Sequence, residues 1–445
     1  MMTIPFNLHL KRKDIRWYLL KLLSNLQFSI VMLLVIALFS VIGTIIEQNE
    51  EPVFYRTHYG FSNEHLSLLN WKSIEFLGLN HIYTTWWFLT ILLIFSLSLF
   101  VCSLSRQIPS LQHARRWHFY KTPSQFKKFA GGQEIQETQL NLLASYLQNY
   151  NYHLFQQGQS IYGYKGLLGR LAPIFVHGSI ILLMAGSVLG LVSGFSAQEM
   201  VPSGELFRLQ NIIASGKFSY VPQEFSARVN NFNIEYNSDS SISQFFSNIS
   251  VLSHDGTELK KSTISVNTPL RFHGLTIYQT DWDVIAIRIR IDYSGAVQIP
   301  LKKVILPNSN KIWVGLIAQS KERQLSVVLT DLQKKASIYN ENGQQIMDIN
   351  IGDGYEIDGT FITFLNTIAS TGLQIKSDPG IPLVYSSFFL LITSISVSYI
   401  SYSQIWVIEK NQRFYIGGVT NRAQLVFEEE LVRISKMSSQ ASRSF

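Results

Sequence analysis

Charge and cysteine are what this chain lacks. Only 15% of its 445 residues are Asp, Glu, Lys or Arg, where soluble domains carry about a quarter. With 47% hydrophobic residues and a mean hydropathy of +0.13, the deficit excludes a disordered chain, a coiled coil and an ordinary cytosolic enzyme. The single cysteine, Cys102, excludes an internal disulfide, a CxxC redox centre, a CxxCH attachment site and a cysteine-based zinc site. No G-x-S-x-G, P-loop, G-x-G-x-x-G or H-E-x-x-H motif is present.

What the chain does have is four long stretches without charge. They run for 25 residues between Lys21 and Glu47, 30 between Glu75 and Arg106, 28 between Arg170 and Glu199, and 30 between Asp378 and Glu409. A helix needs about 20 apolar residues to cross a hydrocarbon core of about 30 Å, so each qualifies as a span. The first is longer than a signal-peptide core, and no A-x-A-like site follows it. The expected class is an integral membrane protein with four transmembrane helices and both termini on one side. The expected segments are 1–25, span 26–46, loop 47–83, span 84–104, loop 105–170, span 171–195, domain 196–380, span 382–404 and tail 405–445.

Charge distribution suggests the orientation. Five Lys/Arg face Asp14 in residues 1–25, eight face Glu134 and Glu137 in 105–170, and six face four acids in the tail. The 47–83 loop has two bases against five acids, and 196–380 has 16 against 18. Basic short loops stay on the side of synthesis, which puts 47–83 and 196–380 on the far side. The net charge of +7 is then mostly topology signal, with no basic stripe of the kind that binds nucleic acid.

The far-side region reads as all-β, a sandwich or open barrel of about ten antiparallel strands. Val284–Asp292, Leu325–Leu329 and Phe361–Leu365 are rich in branched or aromatic residues, and Asp255-Gly256 and Asn342-Gly343 are hairpin signals. On the near side, Leu140–Tyr150 predicts a short amphipathic helix and Tyr152–Tyr164 a hairpin around Gln157-Gly158. Arg115-Arg116-Trp117-His118-Phe119 suits a lipid-surface anchor, and partner binding is the other reading.

Ionisable residues inside spans are the first candidates for chemistry. His177 lies in the third span and His81 at the far-side entrance of the second. A neutral imidazole can ligate haem iron. Helix–helix hydrogen bonding for His177 and an interfacial position for His81 are the alternatives. The two lie near opposite ends of antiparallel spans, so a second ligand for either would come from outside the chain. His58, His65, His254 and His273 lack metal-ligand spacing, and Asp281-Trp282-Asp283 has no hydrolytic complement.

Several segments, in order along the chain, resemble the ResB/CcsB cytochrome c biogenesis family (system II). They are Ser40-Val-Ile-Gly-Thr-Ile-Ile-Glu-Gln-Asn49, Leu77-Gly-Leu-Asn-His-Ile-Tyr-Thr-Thr-Trp-Trp-Phe88, Val101-Cys-Ser-Leu-Ser-Arg106, Gly163 to Ser179, and Pro269-Leu-Arg-Phe-His-Gly-Leu-Thr-Ile-Tyr-Gln279. The resemblance implies a non-enzymatic assembly factor for c-type cytochromes. It would act at the haem delivery and attachment step with a CcsA-type haem-handling membrane protein. Its clients would be apocytochromes c, cytochrome f and a soluble c-type cytochrome, with membrane lipid around it. Haem would be transient and shared with the partner, with His177 and His81 as possible ligands and no other metal. His177 matches the family's third-span histidine in place. The second-span histidine of the family falls where Thr84 stands here, one helical turn from His81.

The Met1 start without a transit peptide suggests a bacterial or plastid gene. Only 16 alanines, beside many Ile, Ser and Asn, suggest an AT-rich plastid genome. The expected location is therefore the thylakoid membrane of the chloroplast, with 196–380 in the lumen, or a bacterial membrane. A stand-alone transporter or channel is the competing function. It is disfavoured by the lack of intramembrane acids and of an inverted repeat. A haem lyase acting alone is disfavoured by the lack of paired cysteines and of a tryptophan-rich haem segment.

Overall fold

The computed structural model describes residues 12–60, 70–129, 131–136, 138–238, 241–306, 311–318, 324–330, 332, 335–357 and 359–443. The chain forms two units: residues 1–187 with 382–445, and residues 188–381. Among the described residues, four helices are long and apolar enough to cross a membrane: Leu26–Ile45, Trp86–Ala114, Leu168–Ser193 and Ile381–Ser398. The protein is an integral membrane protein with four transmembrane helices and an all-β domain.

The second span has a break in its regular geometry. Its α-helix Trp86–Cys102 gives way to a π-helical turn at Ser103–Gln107 and resumes at Ile108–Ala114. Pro109 explains the break. A proline inside an α-helix lacks the N–H for its i→i−4 bond and clashes with the carbonyl four residues back. Widening the preceding turn, with the Ile108 N–H bonded to the Ser103 carbonyl, accommodates it. Spans meet through small and hydroxyl residues, as expected where no water drives association. Ser29 and Ser98 share a 2.8 Å hydrogen bond between the first and second spans. A Cβ at Gly186 would lie 3.0 Å from Leu383 Cβ, so the third and fourth spans approach closely there.

The loop after the first span folds into a small cap. Helices Pro52–His58 and Trp71–Leu77 and the 3₁₀ segment Leu79–Thr84 enclose Ile46, Tyr55, Ile74, Leu79, Ile82 and Phe88. The rest of this unit is a five-stranded antiparallel sheet. Its strand order is Gln133–Ile135, Arg413–Thr420, Ser403–Lys410, Ser160–Lys165 and His153–Gln157. Helices Leu140–Asn149 and Gln424–Arg443 cover one face, burying Leu143, Leu147, Leu431 and Ile434 against Ile161, Val407 and Ile416. The predicted helix and hairpin are both present. The tail, expected only as a tail, supplies two of the five strands and a covering helix. Its Glu430 carboxylate takes Lys165 Nζ at 2.6 Å and the Tyr152 hydroxyl at 2.8 Å. Trp117 stacks on Phe155 with ring centres 4.0 Å apart, and the Trp406 indole N–H donates to the His118 carbonyl.

The second unit is all-β and antiparallel, as the hairpin signals predict. It contains sixteen strands among the described residues rather than about ten. The difference comes from edge strands of two to four residues, such as Leu206–Phe207 and Lys302–Ile305, too short to show alternation. Two long strands, Leu275–Ile291 and Thr360–Ser377, pair along most of their length. One end of the pair packs on a four-stranded sheet around Ile249, Ile277 and Ile375. The other end packs on a five-stranded sheet around Ile287, Trp313, Val327 and Phe364. The result is two cores strung on one ladder. Asp281-Trp282-Asp283 lies between them, where the ladder shifts register on both sides of the triplet. Each carboxylate accepts the next residue's N–H, Trp282 at 2.8 Å and Val284 at 2.9 Å. Asp283 also takes the Trp313 indole N–H. The triplet therefore shapes a bend in the strand.

Candidate functional site

His81 sits in the 3₁₀ segment that links the cap to the second span, and it is exposed. Its backbone, at φ −150° and ψ 44°, departs from helical geometry inside that segment. Gln48 holds the turn in place. Its amide nitrogen donates to the Ile46 carbonyl at 2.8 Å and the Leu79 carbonyl at 2.9 Å, while its oxygen accepts the Ile82 N–H at 3.0 Å. Asn49 N–H adds a bond to the Asn80 carbonyl at 2.8 Å. The Gln-Asn pair at the exit of the first span thus binds the turn on both sides of His81.

The ring itself is set by Asn80. His81 Nδ1 lies 2.7 Å from Asn80 Oδ1. An amide oxygen only accepts, so Nδ1 carries a proton, and in the neutral ring the lone pair is then on Nε2. This is how ligating histidines are usually oriented, with one nitrogen donating to a carbonyl and the other left for the metal. Gly78, at φ +68°, makes room for the ring, because a Cβ there would lie 3.3 Å from Nε2. Phe76, Tyr83 and Trp86 nearby in sequence are all exposed. A histidine oriented in this way could serve as a metal ligand through Nε2.

His177 has a different environment. Its Nδ1 lies 3.1 Å from Ser103 Oγ, and Gln107 Nε2 is 3.2 Å from each ring nitrogen. Ser103 already donates its proton to the Leu99 carbonyl at 2.9 Å, so toward His177 it accepts. Nδ1 is then the donor, and the Nε2 lone pair takes the Gln107 amide. Both ring nitrogens are engaged between the second and third spans, at the π-helical turn. Two atoms in this region are buried without a hydrogen-bond partner among the described residues: Gln107 Oε1 and Arg170 Nε. Arg170 otherwise bonds Ser110 at 3.0 Å and stacks 4.9 Å over the Tyr402 ring.

The structure does not bring the two histidines together. The 17-residue helix Trp86–Cys102, about 25 Å at 1.5 Å per residue, separates His81 from the partners of His177. His58 stacks on Phe54 and His273 on Phe272, His254 is exposed on a turn, and His65 lies outside the described residues. Among the described residues no three His, Cys, Asp or Glu side chains form a metal-binding group. Cys102 is free and buried.

The cap also carries a Tyr–Glu pair whose groups are both shifted. Tyr59 donates to Glu47 Oε2 at 2.7 Å. That hydrogen bond holds the Glu47 carboxyl below its ordinary value. Burial, followed by the neighbouring carboxylate, pushes the Tyr59 phenol up to about 12. Sequence reasoning found both histidines but not the residues that set them, Asn80, Gln48 and Gln107. The first two stand inside the segments that carried the family resemblance. Gln107 carried no sequence signal.

The ResB-like family model matches residues 26–330 and 309–432 of this chain. A cytochrome c biogenesis protein Ccs1 of the red alga Pyropia yezoensis is 76% identical over 438 residues, covering 98% of this chain and all of that one. The Ccs1 protein of Porphyra purpurea is 74% identical over 436 residues, again covering 98% of this chain and all of its own. The cytochrome c biogenesis protein CcsB of the cyanobacterium Trichormus variabilis is 42% identical over 436 residues, covering 97% of this chain and 95% of that one. The matches run through the spans, the cap and the β domain alike, and on them the chain belongs to the ResB-like family.

Proposed function

We propose that this chain is an assembly factor for c-type cytochromes that works at the haem delivery and attachment step. It acts with a CcsA-type haem-handling membrane protein and serves apocytochromes c. It lies in the thylakoid membrane, with the β domain in the lumen. Haem is its cargo rather than a resident cofactor.

One observation carries this reading: the exposed His81, whose Nδ1 is turned to Asn80 so that the neutral ring offers Nε2, and whose turn is held in place through Gln48. An iron ligand on the rim of a span, with no second ligand beside it, suits a subunit that shares haem with a partner. His177 is the reserve position, because Gln107 must release Nε2 before it can bind anything.

The test is the Soret spectrum of the chain purified with its CcsA-type partner, for wild type, His81→Gly and His177→Ala. Loss of haem in His81→Gly with recovery on adding imidazole supports the proposal. Full haem and full cytochrome assembly in both variants refutes a ligand role for either histidine. Loss only in His177→Ala would move the ligand to the π-helical turn.

A further inference from the structure

The segment after the short strand Ile212–Ser215 is tied to the end of the third span. Gly216 N–H bonds the Gly194 carbonyl at 2.9 Å, and Phe218 N–H bonds the Val192 carbonyl at 2.9 Å. Gly216 fits only without a side chain, since a Cβ would lie 2.2 Å from the Val192 oxygen. The backbone of this segment is therefore fixed in height relative to the helix that leaves the bilayer.

That height can be read from Asp378. Its carboxylate accepts the Gly380 N–H at 2.9 Å, just before the fourth span begins at Ile381. The same carboxylate packs on Gly190, where a Cβ would lie 2.4 Å from its Oδ1. A carboxylate does not sit in hydrocarbon without a partner, so Gly190 marks the polar edge of the core. Val192 is two residues farther along, about 3 Å at 1.5 Å per residue. Phe218 thus leaves the span end at headgroup depth. There the chain exposes Phe218 at 72% and Tyr220 at 80%, with the exposed Lys217 beside them.

Aromatic side chains at the membrane–water boundary, beside a cation that meets anionic headgroups, are the pattern of an interfacial anchor. We infer that Lys217-Phe218-Ser219-Tyr220 is a second membrane contact of the β domain, inserted among the lipid headgroups. The occupant of this surface is anionic lipid. The inference does not depend on how haem is handled.

The test uses the full chain in nanodiscs containing anionic lipid. The only native thiol, Cys102, is buried, so an environment-sensitive fluorophore is attached to Phe218→Cys, Tyr220→Cys and, as reference, Tyr293→Cys, which is fully exposed at 106%. Lipids carrying a nitroxide near the headgroup should quench the labels at 218 and 220 at least about twofold more than the label at 293, as interfacial depth requires. Replacing Lys217 by Glu should weaken that quenching. Labels at 218 and 220 as unquenched as the one at 293 would overturn the proposal. So would labels that ignore lipid and become protected only when the partner protein is added, since the surface would then be a protein interface.

Discussion

Replacing Gln48 by alanine removes three hydrogen bonds at once where the first span meets the turn that carries His81. Two of them, to the Leu79 carbonyl and from the Ile82 N–H, join the end of the first span to a segment more than thirty residues away. Each neutral bond contributes about 0.5–1.5 kcal/mol net. Leu79 and Ile82 are both buried in the cap, so their stranded polar groups add cost. The expected local loss is about 2–3 kcal/mol, which raises the population of the opened turn roughly 30- to 150-fold. Hydrogen exchange of the full chain in nanodiscs reads this directly. Amides of residues 78–85 should exchange faster by that factor, while those of the five-stranded sheet stay unchanged. Haem retention with the partner should fall in Gln48→Ala although His81 is intact, and should be largely kept in Glu47→Ala. Unchanged exchange over 78–85 would refute the clamp, and with it the explanation of why Gln48 follows the first span.

Alkaline pH should loosen the same cap. The Tyr59 phenol rises from the ordinary 10.0 to about 12 in the fold, so the folded state favours the protonated form. Its stabilisation is whole below pH 10 and is lost as pH rises toward 12. Phenolate absorbance should show one late-titrating tyrosine fewer in Tyr59→Phe than in wild type, where burial also raises Tyr55, Tyr152 and Tyr402, and a variant that titrates identically would refute this. Lys165→Ala should destabilise the five-stranded sheet by about 2 kcal/mol, because it leaves the Glu430 carboxylate, only 16% exposed, without its cation. Thermal unfolding followed by Trp406 fluorescence checks it. Adding Glu430→Leu to Lys165→Ala should restore part of the loss, and an unchanged transition in the single variant would contradict the role given to the pair.

The spans were legible because absence of charge over 25 to 30 residues is a local property of sequence. So were the hairpins at Asp255-Gly256 and Asn342-Gly343, where a turn residue imposes its own backbone. The pairing of Ser403–Ile408 with Ser160–Lys165 was not. Nothing in either strand points across some 240 intervening residues, and a basic tail looks alike whether it is free or folded. The site was half legible. Histidine identity and depth could be read, but whether a ring nitrogen is free depends on tautomer. That is set by Asn80 in one case and by Ser103 and Gln107 in the other. The π-helical turn that delivers Gln107 follows from Pro109, whose effect on the preceding turn no periodicity records.

The five-stranded sheet also fixes an order of events. Its strands come from residues 133–165 and 403–420, and everything between must be synthesised first. While the ribosome is still making the β domain, Ser160–Lys165 has one neighbour and an open edge. Only when the last two strands and the helix Gln424–Arg443 emerge can that edge close and Lys165 meet Glu430. A chain cut short anywhere after the third span leaves a sticky strand edge and an uncovered apolar face. An open strand edge is a template for pairing with other chains, and here that exposure ends only when the last two strands are in place.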